Sequence, residues 1–156
     1  MMGASFRSYV WDPMLLCSQI IAMQSVFYVC FGIWLIFVDY ILDHPRSLGQ
    51  IFGYDCLDFS SSGGRMIAAV YVMNALTCAT GLWCIVQRTK QCTDFSVTVH
   101  FFHFIACWMY NSRIPSSLAW WFTNIGCIAL TTVLGEYLCM RTELKDIPLT
   151  GARADL

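Results

Sequence analysis

The stretch PMLLCSQIIAMQSVFYVCFGIWLIFV, from Pro13 to Val38, decides the fold class: it holds 26 consecutive residues without one charge. As a helix rising ~1.5 Å per residue it is about 39 Å long, more than the ~30 Å of a bilayer's hydrocarbon core. Working outward, Met66–Gln87 gives 22 more uncharged residues, Phe95–Ser112 gives 18 and Ile114–Gly135 gives 22. The reading is an all-α polytopic membrane protein, a bundle of four transmembrane helices with spans at about 13–38, 66–87, 95–112 and 114–138. The third run is the shortest, roughly 27 Å at the same rise, and carries His100 and His103. A re-entrant pair of half-spans is the rival reading for the last two runs.

Composition agrees. Of 156 residues, 58% are hydrophobic and 12% charged, about half the ~25% of charged residues in soluble proteins. Mean hydropathy is +0.59, which excludes intrinsic disorder. Nine Lys and Arg against ten Asp and Glu leave no basic field for a nucleic-acid partner. The partner implied is the lipid bilayer. The first run is too long for a signal-peptide core of ~7–15 residues, and the Met2–Gly3 start with Arg7 does not fit myristoylation. The first span is therefore expected to be retained. Residues 1–149 read as one membrane domain and 150–156 as a flexible C-terminal tail.

Basic residues are retained on the cytoplasmic side. With four spans, the N-terminus, the 88–94 loop and the C-terminal segment share one side and carry Arg7, Arg88, Lys90, Arg141, Lys145 and Arg153. The other side carries Arg46, Arg65 and Arg113. Six against three predicts both termini in the cytoplasm. The 39–65 loop is the one long connection, and Leu48, Ile51 and Phe52 at helical spacing suit a short helix lying at the membrane surface.

Most of the nine cysteines fall inside the apolar runs, where cysteine acts as a small hydrophobe. Cys92 and Cys139 lie near the expected cytoplasmic face, where juxtamembrane cysteines can be palmitoylated. His100, His103 and Cys107 share a helix face, so a metal site competes with the plainer reading of neutral histidines bonded to neighbouring helices. No other span offers the further ligands a structural metal site needs, and no metal, cofactor or catalytic residue is expected. Asn74, with His100 and His103, is an expected intramembrane polar contact. Glu136 ends the fourth run at the level of Arg7, Asp12, Arg88, Lys90, Asp94 and Arg141. Either a ring of ion pairs locks the helix ends there, or these are separate solvated charges. Small and polar residues mark packing faces: Gln19, Gln24 and Gly32 in span one; Asn74, Ala75, Thr77, Ala79 and Gly81 in span two; Gly126, Ala129 and Thr131–Thr132 in span four.

Several stretches resemble a known family. Phe6-Arg7-Ser8-Tyr9-Val10-Trp11-Asp12-Pro13 resembles the opening of the Sys-one family of Golgi membrane-trafficking proteins, and Asn74-Ala75-Leu76-Thr77-Cys78-Ala79 its second span. Lys90-Gln91-Cys92-Thr93-Asp94-Phe95, followed by Val97-Thr98-Val99-His100-Phe101-Phe102-His103, is similar to its third. Leu134-Gly135-Glu136-Tyr137-Leu138-Cys139-Met140-Arg141-Thr142-Glu143-Leu144-Lys145 is similar to its C-terminal segment. The likeness runs from about Phe6 to Leu149.

The resemblance implies a multi-pass protein of the trans-Golgi membrane that is not an enzyme. Its family role is to recruit an Arf-related small GTPase with an acetylated N-terminus, supporting endosome-to-Golgi traffic. A single weak anchor holds a protein to a membrane only marginally, so an integral receptor can supply the second signal. Acetylation removes the terminal charge that would be costly to bury. By position the docking face expected comprises Arg7, Trp11, Asp12, Arg88, Lys90, Asp94, Glu136, Arg141 and Lys145. The alternative is a small transporter or channel using the intramembrane histidines and Glu136, with few mid-bilayer charges to support it.

Overall fold

The computed structural model describes residues 12–145. Arg7, Trp11 and the expected tail at 150–156 lie outside the described residues. Those described are all helical, with no strand among them.

The first helix, α1, runs Pro13–Leu42. Its start is set by Asp12, whose carboxylate accepts from the backbone N–H of Met14 and Leu15 at 3.1 and 3.2 Å, with Pro13 at the first helical position, where no N–H is needed. Its end is set by Asp43, in the left-handed region at φ 51°, a conformation aspartate tolerates better than most residues. The helix overshoots its uncharged run by four residues, because the charged Asp39 belongs to its buried stripe. Met23, Phe27, Phe31, Leu35 and Asp39 recur every four residues, and that spacing keeps them on one face.

A four-residue helix α2, Gly49–Phe52, follows. The short helix expected here forms, with its apolar side chains turned toward the bundle. Leu48 is exposed, while Ile51, Phe52, Tyr54 and Leu57 turn into the bundle, where Tyr54 meets Trp120 edge-to-face at 5.4 Å. Asn111 donates to the Phe52 carbonyl at 2.6 Å and satisfies a backbone group that would otherwise be buried without a partner. The loop is thus a stopper over one end of the bundle.

Helix α3, Ser62–Gly81, is capped by Ser61, which accepts from Gly64 N–H at 3.0 Å. It continues through a π-helical turn, Leu82–Val86. Such a turn disturbs the regular carbonyl pairing, and the Gln19 side chain donates to the Ile85 carbonyl at 3.2 Å. A 3-10 turn, Thr89–Gln91, leads into α4, Cys92–Asn111, and the last helix is α5, Leu118–Lys145.

Side-chain contacts fix the directions. Gln19 meets Ile85 and Trp34 meets Thr77, so α1 and α3 are antiparallel. Cys92 lies by Cys139, Ser96 by Ile128 and Phe104 by Trp120, so α4 and α5 are antiparallel too. The order is up-down-up-down, and Asp12, the 87–91 turn and Lys145 share one end. Three helices, Pro13–Leu42, Ser62–Val86 and Leu118–Lys145, are long and apolar enough to cross a membrane. The 20-residue α4 matches them in direction but not in apolarity, since His100, His103 and Asp94 fall within it.

The packing seam on α5 runs through Trp120, Asn124, Cys127, Thr131, Gly135 and Cys139. Thr131 donates to the Ala75 carbonyl at 3.3 Å. Gly135 sits where α5 crosses the α3 extension, and an added Cβ would lie 2.7 Å from Leu82 Cδ1. Ala75 and Ala79 are buried as expected, but Gly126 and Ala129 face outward. They stand off the seam in helical register, so their small size is not used for helix packing.

Candidate docking face and buried histidine clasp

The end that gathers Asp12, Arg88, Lys90, Asp94, Glu136, Arg141 and Lys145 is built from the start of α1, the 87–91 turn and the last turns of α5. All of these except the half-buried Glu136 are exposed. The ring of ion pairs is not formed among the described residues, whose one ion pair, Arg113–Asp55 at 3.2 Å, lies at the opposite end. Hydroxyl groups take the carboxylates instead. Thr93 donates to Glu136 at 2.8 Å, and Thr89 donates to Glu143 through its hydroxyl at 2.8 Å and its backbone N–H at 3.3 Å. Trp83 Nε1 donates to the Thr142 hydroxyl at 2.7 Å. Short threonines on the turn reach α5 with little rotamer entropy to lose, whereas exposed ion pairs gain only ~0–1 kcal/mol against the ordering of two long side chains. Arg141 lies over the Tyr137 ring at 5.8 Å.

Four cations, Arg88, Lys90, Arg141 and Lys145, and four carboxylates, Asp12, Asp94, Glu136 and Glu143, are therefore held on a braced platform without forming ion pairs among the described residues. Beside it, between α1 and the start of α4, is a cleft of about 190 Å³. Leu16, Ile20 and Phe95 form its apolar walls, and Gln91, Asp94 and Thr98 its polar side.

The thiols of Cys92 and Cys139 lie 3.6 Å apart, both fully buried between α4 and α5. They face each other across the seam and not the headgroups, which removes them as acylation sites in this conformation. The exposed cysteines are Cys17 and Cys84.

His100, His103 and Cys107 do share one face, and all three are buried. Among the described residues no cluster of His, Cys, Asp and Glu is arranged to hold a metal ion. His103 is instead a clasp. The Tyr71 hydroxyl lies 3.2 Å from the Ile51 carbonyl and 2.8 Å from His103 Nε2; with its one hydrogen assigned to the carbonyl, it accepts from Nε2. That leaves Nδ1 unprotonated in the neutral ring, to accept from the Tyr28 hydroxyl at 3.3 Å. One directed chain of bonds thus joins α1, α4, α3 and the stopper loop. Tyr28 and Tyr71 were not singled out in the sequence, where only their placement on inward faces could have marked them. His100 bonds to the Ser96 carbonyl of its own helix at 3.0 Å, not to a neighbouring helix as expected. Asn74 is buried, but its amide has no partner among the described residues.

Comparison with known proteins places this architecture. The family described as "Integral membrane protein S linking to the trans Golgi network" matches residues 6–149. A Nematostella vectensis protein named "Protein SYS1 homolog" is 47% identical over 150 residues, covering 96% of this chain and 95% of the relative. A Dictyostelium discoideum protein of the same name is 36% identical, covering 92% of this chain and 62% of its own length. "Protein SYS1" of Saccharomyces cerevisiae is 28% identical, covering 94% and 72% respectively. No solved structure matches the chain.

Proposed function

We infer the function from one premise: this chain belongs to the SYS1 family, integral membrane proteins linked to the trans-Golgi network. It is accordingly a membrane protein of the trans-Golgi network. On that basis we propose that it is a receptor, not an enzyme, which recruits an Arf-related small GTPase through that GTPase's acetylated N-terminus and so supports traffic into and through the Golgi.

The observation that carries the reading is the cleft bounded by Leu16, Ile20 and Phe95 beside a platform of unpaired charges of both signs. Its volume of about 190 Å³ suits an acetylated terminal residue and part of the next. Gln91 can donate to an acetyl carbonyl, the Leu16, Ile20 and Phe95 walls suit the acetyl methyl, and Asp94 can accept from the amide N–H that acetylation leaves. Arg88, Lys90, Arg141 and Lys145 stand among Asp12, Asp94, Glu136 and Glu143, so the same end offers a partner charges of both signs to fix its orientation.

The receptor reading includes four spans and cytoplasmic termini. Helix α4 alternates in direction with its neighbours and, at 20 residues, is about 30 Å long. It buries its histidines against the bundle, so a low average apolarity is compatible with crossing. The basic excess at the Asp12–Lys145 end favours placing that end in the cytoplasm.

The test has two parts. Depletion of the chain should release the GTPase from Golgi membranes into the cytosol; unchanged localisation would overturn the receptor role. Purified chain should bind an acetylated N-terminal peptide of the GTPase and discriminate against the same peptide with a free amine. Equal binding of both would remove the role given to the acetyl group.

A further inference from the structure

Asp39 is the last member of the buried stripe on α1 and the first charged residue after the uncharged Pro13–Val38 run, the point at which an apolar span gives way to headgroups. It is 3% exposed, a costly place for a carboxylate unless it is paired or used. Only half of it is paired. Gln50 Nε2 donates to Oδ1 at 3.1 Å, and Gln50 is itself fixed by the Ser47 N–H, which donates to Oε1 at 3.3 Å. Oδ2 accepts no hydrogen bond among the described residues.

The carboxylate lines a groove of about 320 Å³ between α1 and the stopper loop. Arg46 lines the same groove, yet the two do not form an ion pair. The remaining walls are apolar, with Leu35, Ile36 and Ile51, and the groove runs along α1 to Gly32. Space beyond Gly32 is open: an added Cβ would meet nothing within 4 Å. The groove therefore offers an anionic group, a cationic group and an apolar crease, side by side at headgroup depth.

We propose that this groove binds the zwitterionic head of a bilayer phospholipid bearing a primary ammonium, phosphatidylethanolamine. The ammonium donates to Asp39 Oδ2, the phosphate lies on Arg46, and one acyl chain follows the crease past Leu35 and Ile36 to Gly32. Choline heads are disfavoured because a quaternary ammonium has no N–H to donate to the carboxylate oxygen that opens onto the groove. The site is separate from the docking face and does not depend on it, since the two lie at opposite ends of α1.

The test uses the full chain purified in detergent, exchanged into nanodiscs of defined phosphatidylethanolamine and phosphatidylcholine mixtures, with lipid retained after re-extraction read by mass spectrometry. Wild type should enrich phosphatidylethanolamine roughly tenfold over phosphatidylcholine, the scale of one charge-assisted hydrogen bond. Asp39→Asn, which can still accept from Gln50, should abolish that preference. Arg46→Gln, at an exposed position where folding is not at issue, should lower retention of both lipids. Gly32→Leu should fill the crease and do the same without touching a charge. Equal retention of the two lipids by wild type overturns the proposal, as does a preference that survives both Asp39→Asn and Gly32→Leu. Displacement of the retained lipid by millimolar soluble phosphoethanolamine would also overturn it, because the crease would then contribute nothing.

Discussion

Tyr71 reaches from α3 to His103 on α4, its hydroxyl 2.8 Å from Nε2, and donates a hydrogen bond to the Ile51 carbonyl of the stopper loop at 3.2 Å. One phenol thus closes two bonds at once, while Tyr28 closes one, at 3.3 Å. Tyr71→Phe should leave the Ile51 carbonyl unpaired and His103 Nε2 with only the weak acceptor Cys107 Sγ at 3.4 Å, at about 1–3 kcal/mol, with the lower end favoured because polar groups in membranes find substitute partners. Tyr28→Phe should cost less. Thermal unfolding in detergent should give the order wild type, Tyr28→Phe, Tyr71→Phe; the reverse order would show that His103 is not a clasp.

Gly64 in the first turn of α3 abuts the backbone of Asp58, and a Cβ there would collide with the Asp58 carbonyl oxygen. Alanine favours helix over glycine by ~1 kcal/mol, so propensity alone would stabilise the substitution. The obstacle is backbone, which cannot swing aside, and overpacking costs about 1–3 kcal/mol or more. Gly64→Ala should therefore lower the melting temperature. Gly63→Ala, whose Cβ would meet only His44 Nε2 at 3.5 Å, should leave it unchanged or raise it. A stable Gly64→Ala protein would mean that the 58–61 turn does not pack on α3 as described.

The uncharged runs located every long helix because lipid tolerates few charges, and the aromatic and small residues followed from that. What stayed hidden needed three-dimensional register. Asp39 read as a boundary charge, although its distance of four residues from Leu35 places it on the inward stripe. Of the span-four packing face read from size, Thr131 lies on the seam with Cys127 and Gly135, whereas Gly126 and Ala129 fall off it. At the charged end the sequence shows which ions are near the membrane level. It does not show that threonines 89 and 93 take the carboxylates first, since that depends on how the turn presents them. Past Phe52 the stopper loop carries no periodic signal, so the inward turn of Tyr54 and Leu57 was invisible before folding.

Burial separates the cysteines into two groups that chemical labelling can read. Cys92 and Cys139 are sealed between α4 and α5, whereas Cys17 and Cys84 are exposed on helix surfaces. In folded, detergent-solubilised protein, N-ethylmaleimide should modify Cys17 and Cys84 well before Cys92 and Cys139, with the latter pair reacting only on denaturation. Peptide mass spectrometry after timed quenching distinguishes them. Labelling of Cys92 at the rate of Cys84 would refute the seam between the two helices and reopen Cys92 to lipid attachment.

Cys56 in the stopper loop should betray its surroundings through pH. Partial burial, and then the neighbouring Asp55 carboxylate, both raise its thiol pKa above the ordinary value. Because the thiolate is the nucleophile, a raised pKa delays its appearance, so alkylation of Cys56 should rise at higher pH than that of an unstructured cysteine peptide. Asp55 also pairs with Arg113 at 3.2 Å. Asp55→Asn therefore removes a nearby negative charge and frees a guanidinium, two changes that both favour the thiolate. The rate profile of that variant should move to lower pH, while burial keeps it above the peptide's. A wild-type profile coincident with the peptide would mean that the loop stands open and does not plug the bundle.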